Sequence, residues 1–120
     1  MTLGTTEPVH RGDERTALLG FLQRQRDVVA WKVGGASDEV LRSASTPTGL
    51  TAHGLVQHLA NVERWWLRHE VAGETGLPFE GTEDDPRADL RVGADVAMAD
   101  LLAGYAAEAA LCDAVVEAQP

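Results

Sequence analysis

The stretch Thr51–Trp66, TAHGLVQHLANVERWW, decides how the rest of the chain is read. Thr51 can cap a helix, because its hydroxyl oxygen can accept a backbone N–H that the first turn leaves unpaired. Leu55, Leu59, Val62 and Trp66 then follow at i, i+4, i+7 and i+11, the period of one helical face rather than the alternation of a strand. The spacing predicts a long amphipathic helix that ends at Gly73, with those four residues buried. One histidine, His58, sits among the apolar residues. It is either a metal ligand or a core-rim histidine satisfied by a carbonyl or water.

Working outward gives more helices. Residues 1–12 read as an extended tail, followed by a single domain over 13–120. Asp13 is placed to cap a helix over ERTALLGFLQRQRDVVAWKVGG, with Leu18, Leu22, Gln25 and Val29 as its stripe and Phe21, Val28 and Lys32 beside it. Gly34 and Gly35 stop it. Ser37 opens a short helix, SDEVLR, and SASTPTG forms a loop. The segment GETGLPFEGTEDDPRADLRVG is too long for a minimal turn and is expected to cross the bundle. Asp95 is placed to cap a third long helix with the stripe Leu102, Tyr105, Ala109, Cys112 and Val116. With no strand pattern, the fold class is all-α: three long helices and one short one.

Charge and cysteine content narrow the function classes. The 120 residues hold 10 Lys and Arg against 19 Asp and Glu, a net charge of −9. Nucleic acid and anionic membranes both demand the opposite sign. A single cysteine, Cys112, rules out a disulfide within the chain and, on an apolar stripe, reads as an inert thiol. The first residues lack a basic flank and an apolar run, and no stretch is long enough to span a bilayer, so a cytoplasmic protein is expected.

The histidines are His10, His53, His58 and His69, with no HxxxH pair. His53 and His58 are five apart and face differently, and His58 and His69 are about 16 Å apart along an α-helix. A metal at His58 therefore needs donors from other elements. The acidic residues Glu80, Glu83, Asp84, Asp85 and Asp89 lack EF-hand spacing and read as a solvated loop. Of Trp31, Trp65 and Trp66, the adjacent pair diverge by about 100°, which places one in the core.

The segments ERTALLGFLQRQRDVVAWKVGGASDEVLR, TGLTAHGLVQHLANVERWW and DPRADLRVG…VAMADLLAGYAAE together resemble the DinB-like superfamily, in particular its mycothiol-dependent-enzyme-like branch. The resemblance runs from about Asp13 to Val116. It implies a four-helix bundle in an up-down-down-up arrangement, often dimeric. It also implies a divalent metal, zinc or nickel, held by three histidines. The GLVxHLA position is His58 here, and the other two ligands belong to an HxxxH motif on a fourth helix. Some relatives use mycothiol or bacillithiol as the thiol in transferase or isomerase chemistry. This sequence reaches Pro120 without that motif, so the resemblance implies a bundle truncated to three long helices and one short one. It also implies an incomplete ligand set and a homodimer that covers the seam of the missing helix. The first functional reading is a metal-dependent thiol transferase with a small-molecule substrate. The alternative is a non-catalytic helical interaction or ligand-binding module.

Overall fold

The computed structural model describes residues 11–43, 49–79 and 84–120. Residues 1–10 of the expected tail, residues 44–48 of the loop, Glu80 and Glu83 lie outside the described residues, and the last two residues of that tail, Arg11 and Gly12, are instead the start of the first helix. Helices α1 (Arg11–Val33), α2 (Asp38–Ser43), α3 (Ala52–Glu63) and α4 (Met98–Glu117) are joined by two other helical pieces. These are a π-helical segment, Arg64–Val71, that continues α3, and a 3₁₀ turn, Ala88–Leu90. All described regular structure is helical, as the sequence predicts.

The local signals explain most boundaries. Thr51 accepts the Gly54 N–H at 3.1 Å, and Ser37 accepts that of Val40 at 3.2 Å. Gly73 takes a φ of +73°, a conformation L side chains resist, and ends the helical run. Asp13 lies in the first turn of α1 rather than before it, so it complements the helix dipole instead of capping. Asp95 does not cap α4, which starts at Met98 after Ala97.

Helix direction follows from which ends meet. Arg15 of α1 reaches the Gln119 carbonyl beyond α4, and Arg26 reaches Asp113, while Val29 and Val33 pack around Met98 and Tyr105. Thus α1 and α4 are antiparallel. Val56 packs with Met98, Arg64 meets Glu108, and Leu67 and Val71 line a groove with Val116, so α3 and α4 run parallel. This up-down-down order matches the first three helices of the expected arrangement. Parallel neighbours require the chain to travel back the length of a helix, about 30 Å for 20 residues. Residues 74–79 and 84–97 lie along that return beside α3. Glu74 pairs with Arg68, the Pro78 carbonyl accepts from Arg64, and Asp89 meets His58. The Leu90 backbone then crosses Gly54 so closely that a Cβ there would lie 2.0 Å from the Leu90 oxygen.

Two of the expected stripes are rotated. On α1, Leu18 and Gln25 are exposed, and the inward-facing set is Arg15, Leu19, Leu22, Arg26, Val29 and Val33. Arg26 is 6% exposed because its guanidinium meets Glu63 and Asp113, which compensate the buried charge. On α3, Leu55 and Trp66 are exposed and Leu59 and Val62 half-buried, while His53, Gly54 and Val56 are buried. Gly54 faces inward because the return segment lies against it. No tryptophan enters the core: Trp31, Trp65 and Trp66 are 80%, 40% and 61% exposed. The π segment turns Trp66 outward by bonding i to i+5, as in Ala72 N–H to Leu67 O at 3.0 Å. Residues four apart share a face there, so Arg64 and Arg68 converge on Glu108, and Trp65 stacks on His69 at 4.3 Å. The expected α4 stripe holds, with Tyr105, Ala109, Cys112 and Val116 all buried.

One carboxylate ties three helices at the other end. Asp38 Oδ1 accepts from His53 Nε2 at 2.6 Å and from the Met98 backbone N–H at 2.7 Å, supplying from α2 the first-turn acceptor that Asp95 does not. The Met98 N–H first, and then His53, hold the Asp38 carboxyl below its ordinary value of 3.8. A lowered carboxylate value stabilises the fold above the ordinary value, and that stabilisation is lost as pH falls through the lower one. The difference in Tm between the native protein and Asp38→Ala should therefore be full at pH 6 and shrink below about pH 4, measured by calorimetry at low salt. Gly54→Ala should lower stability by about 1–3 kcal/mol or more in urea denaturation, because backbone and not a flexible side chain must yield. Ala at exposed Gly20, which meets no neighbour, is the control.

Candidate functional site

On the α3 edge under the return segment, the polar side chains Gln57, His58 and Asn61 find partners. His58 Nδ1 lies 2.6 Å from Asp89 Oδ2, and Asn61 Nδ2 donates to the same oxygen at 3.2 Å. Gln57 Nε2 donates to the Asp89 carbonyl at 2.8 Å and to the Arg91 carbonyl at 3.0 Å. Gln57 thus fixes the backbone of the 3₁₀ turn, and the turn fixes the carboxylate. Asp89 is 4% exposed, whereas the His58 side chain is 39% exposed. Reading Asp89 as part of a solvated acidic loop is therefore wrong. It is buried because His58, Asn61 and the turn surround it.

The pair settles the chemistry of the ring. A carboxylate only accepts, so His58 Nδ1 carries the hydrogen. In the neutral imidazole the lone pair then resides on Nε2, at a ring that solvent reaches. Ligating and general-base histidines share this arrangement, in which a carboxylate holds Nδ1 and fixes the tautomer. The sequence signal for Asp89 lies in α3 itself: Gln57, His58 and Asn61 crowd one edge of an apolar helix, and such an edge needs polar partners from elsewhere.

Among the described residues, neither His53 nor His69 joins His58. His53 is fully buried and bonded to Asp38, and its Nδ1 has no partner among the described residues. His69 is sandwiched with Trp65 and meets Phe79 edge-on. Among the described residues, no three His, Cys, Asp or Glu side chains converge as a metal-binding group.

A second polar cluster lies between the long helices. Arg26 Nε donates to both Glu63 oxygens at 3.1 and 3.2 Å, and Nη1 donates to Asp113 at 2.8 Å. Tyr105, also bonded to Glu63, is pushed up by burial first and by that carboxylate second. Glu108 accepts from Arg64 at 2.7 Å and from Arg68 at 3.0 Å. Burial alone would raise Glu108, but the two arginines outweigh it and hold the carboxyl below its usual range. Cys112 donates to Glu108 at 3.5 Å, and burial, then the nearby carboxylate, pushes its thiol up to about 12. The cluster is structural, and its thiol is protonated and inert, as the sequence predicts. A thiol-specific reagent at pH 8 should accordingly label Cys112 only on unfolding, with the labelling rate rising through the urea transition in parallel with the loss of helical circular dichroism.

Residues 17–120 match the family described as mycothiol-S-transferase. Among curated proteins and among solved structures, none matches.

Proposed function

The chain belongs to the mycothiol-S-transferase family, within the DinB-like superfamily, and we propose that it works in metal-assisted thiol transfer at the α3 edge where Asp89 holds His58. The observation that carries this reading is the 2.6 Å contact between His58 Nδ1 and buried Asp89, which commits the ring to action through Nε2. The expected ion is divalent, zinc or nickel, and the expected co-substrate is mycothiol. A bound divalent ion supplies the activation of the sulfur, because a thiol that coordinates it loses its proton at neutral pH.

The residues present fit that ion as one ligand. His58 offers a nitrogen of fixed tautomer, Asp89 orients the ring, and Asn61 and Gln57 hold Asp89. Asp89 gives the imidazole the carboxylate partner usual for ligating histidines. The described residues supply no three-donor group, so the ion's other ligands would come from outside them. Cys112 takes no part, since its sulfur is fully buried. The thiol therefore arrives with the co-substrate. No helix among the described residues is long and apolar enough to cross a membrane, and a cytoplasmic setting belongs to the same proposal.

The lack of a three-donor group among the described residues is what favours the second reading, a non-catalytic helical module. Metal binding separates the two. Protein equilibrated with zinc or nickel and freed of excess should retain the ion by mass spectrometry, and His58→Ala should lose it. Asp89→Asn should weaken the affinity by roughly 10–100-fold in a chelator competition, with helical content unchanged. Retention no greater than that of His58→Ala would sink the metal reading and leave the helical module.

A further inference from the structure

The 3₁₀ turn that sets Asp89 on His58 has a second face. Arg87 precedes the turn and Arg91 follows it. Both line an open cavity of about 350 Å³, together with Gly49, Leu50 and Leu90. That volume suits a small molecule. The backbone that carries the arginines is fixed before any ligand arrives. The Leu90 and Arg91 N–H groups donate to the Arg87 and Ala88 carbonyls at 3.0 and 3.1 Å. Gln57 Nε2 donates to the Arg91 carbonyl at 3.0 Å. Gly49, at a φ of +86°, adds wall without a side chain to fill the space.

Two arginines in one cavity run against the net charge of −9. Arg91 Nη1 pairs with Asp85, and the remaining donors of that guanidinium stay available. The Arg87 side chain meets no partner among the described residues. The two arginines and Asp85 together leave a single positive charge. At physiological salt, carboxylates more than about 8 Å away are screened, so this local sum governs what enters. One positive charge with planar donor forks matches one carboxylate. Leu50 and Leu90 offer apolar wall for a hydrocarbon body beside it. We propose that this cavity binds a small organic acid, its carboxylate on Arg87 and Arg91 and its apolar body on Leu50 and Leu90. Asp89 lies two residues from each arginine, at most about 7 Å of backbone. One turn thus holds the imidazole by its acid and an anionic molecule by its bases. The site is independent of the thiol-transfer reading, since His58 is not among its lining residues.

Benzoate is the probe, with benzamide as its neutral isostere and inorganic phosphate as charge without an apolar body. Each is titrated into the isotopically labelled full chain and followed by nuclear magnetic resonance. Benzoate should bind at about millimolar concentration or below and move the backbone signals of residues 49–50 and 87–91. Benzamide and phosphate should each bind on the order of tenfold more weakly. Arg87→Gln should weaken benzoate by a similar factor with unchanged far-ultraviolet circular dichroism, because Arg87 is exposed. Asp85→Asn should tighten it severalfold, because the change frees the Arg91 fork. His58→Ala should leave benzoate affinity unaltered, so absent metal retention with intact benzoate binding counts against the thiol-transfer reading alone. Absence of benzoate binding, shifts confined to other residues, or equal binding of benzamide or phosphate would overturn the proposal. So would an affinity indifferent to Arg87→Gln or to Asp85→Asn.

Discussion

Two successive helices that run parallel impose a debt of chain length, and the rest of this structure follows from it. Because α3 and α4 point the same way, the backbone must return past the whole of α3 before α4 can begin. The return segment is clasped at each level: Glu74 by Arg68, Pro78 by Arg64, Asp89 by His58 and Asn61, and Leu90 by the missing side chain of Gly54. Arg42 of α2 then takes the Gly93 and Val96 carbonyls, and Asp38 receives the first N–H of α4. A crossing that the topology demands for purely geometric reasons thereby becomes the wall that sets Asp89 on His58.

The interior behind that wall is unusually ionic. Its apolar nucleus is Val56, Met98 and Tyr105, and half-buried aliphatic residues pack around them. Arg26, Glu63 and Glu108 occupy places where leucines would serve in an ordinary bundle. Such pairs add little net stability over apolar side chains of the same volume, but removing one partner strands a charge at a cost of about 3–5 kcal/mol. Their effect here is on alignment. Arg26 reads Glu63 and Asp113 together, and Glu108 reads Arg64 and Arg68 together, so a slide by one helical turn would break several charged contacts at once.

The sequence makes the helices legible because capping and periodicity are local. Thr51, Ser37, Gly73 and the α4 stripe act through neighbours a few residues away, and each appears where the pattern puts it. The α1 and α3 stripes were harder to read for one reason. Both helices carry apolar residues on more than one face, and hydrophobicity alone cannot tell the face that meets α4 from the face that stays exposed. Arg26 in the interior and Phe21 on the surface invert the usual expectation, and only the positions of Glu63 and Asp113 explain the exchange. His58 was visible as the one histidine in a recognisable motif. Asp89 was hidden among acidic neighbours, because its burial depends on a backbone crossing that no local pattern encodes. The wide turn from Arg64 to Val71 is likewise silent in sequence.

The separation of 31 residues between His58 and Asp89 has a consequence for folding. Closing a loop of that size costs entropy that the single contact cannot repay on its own, so the pair forms only after other contacts have gathered the chain. Those contacts are the docking of α4 and the anchoring of its start on Asp38. A partly folded chain can hold α3 as a helix, with its capped first turn, and still leave the imidazole free to rotate and to exchange its tautomers. The oriented ring is thus a property of the completed topology.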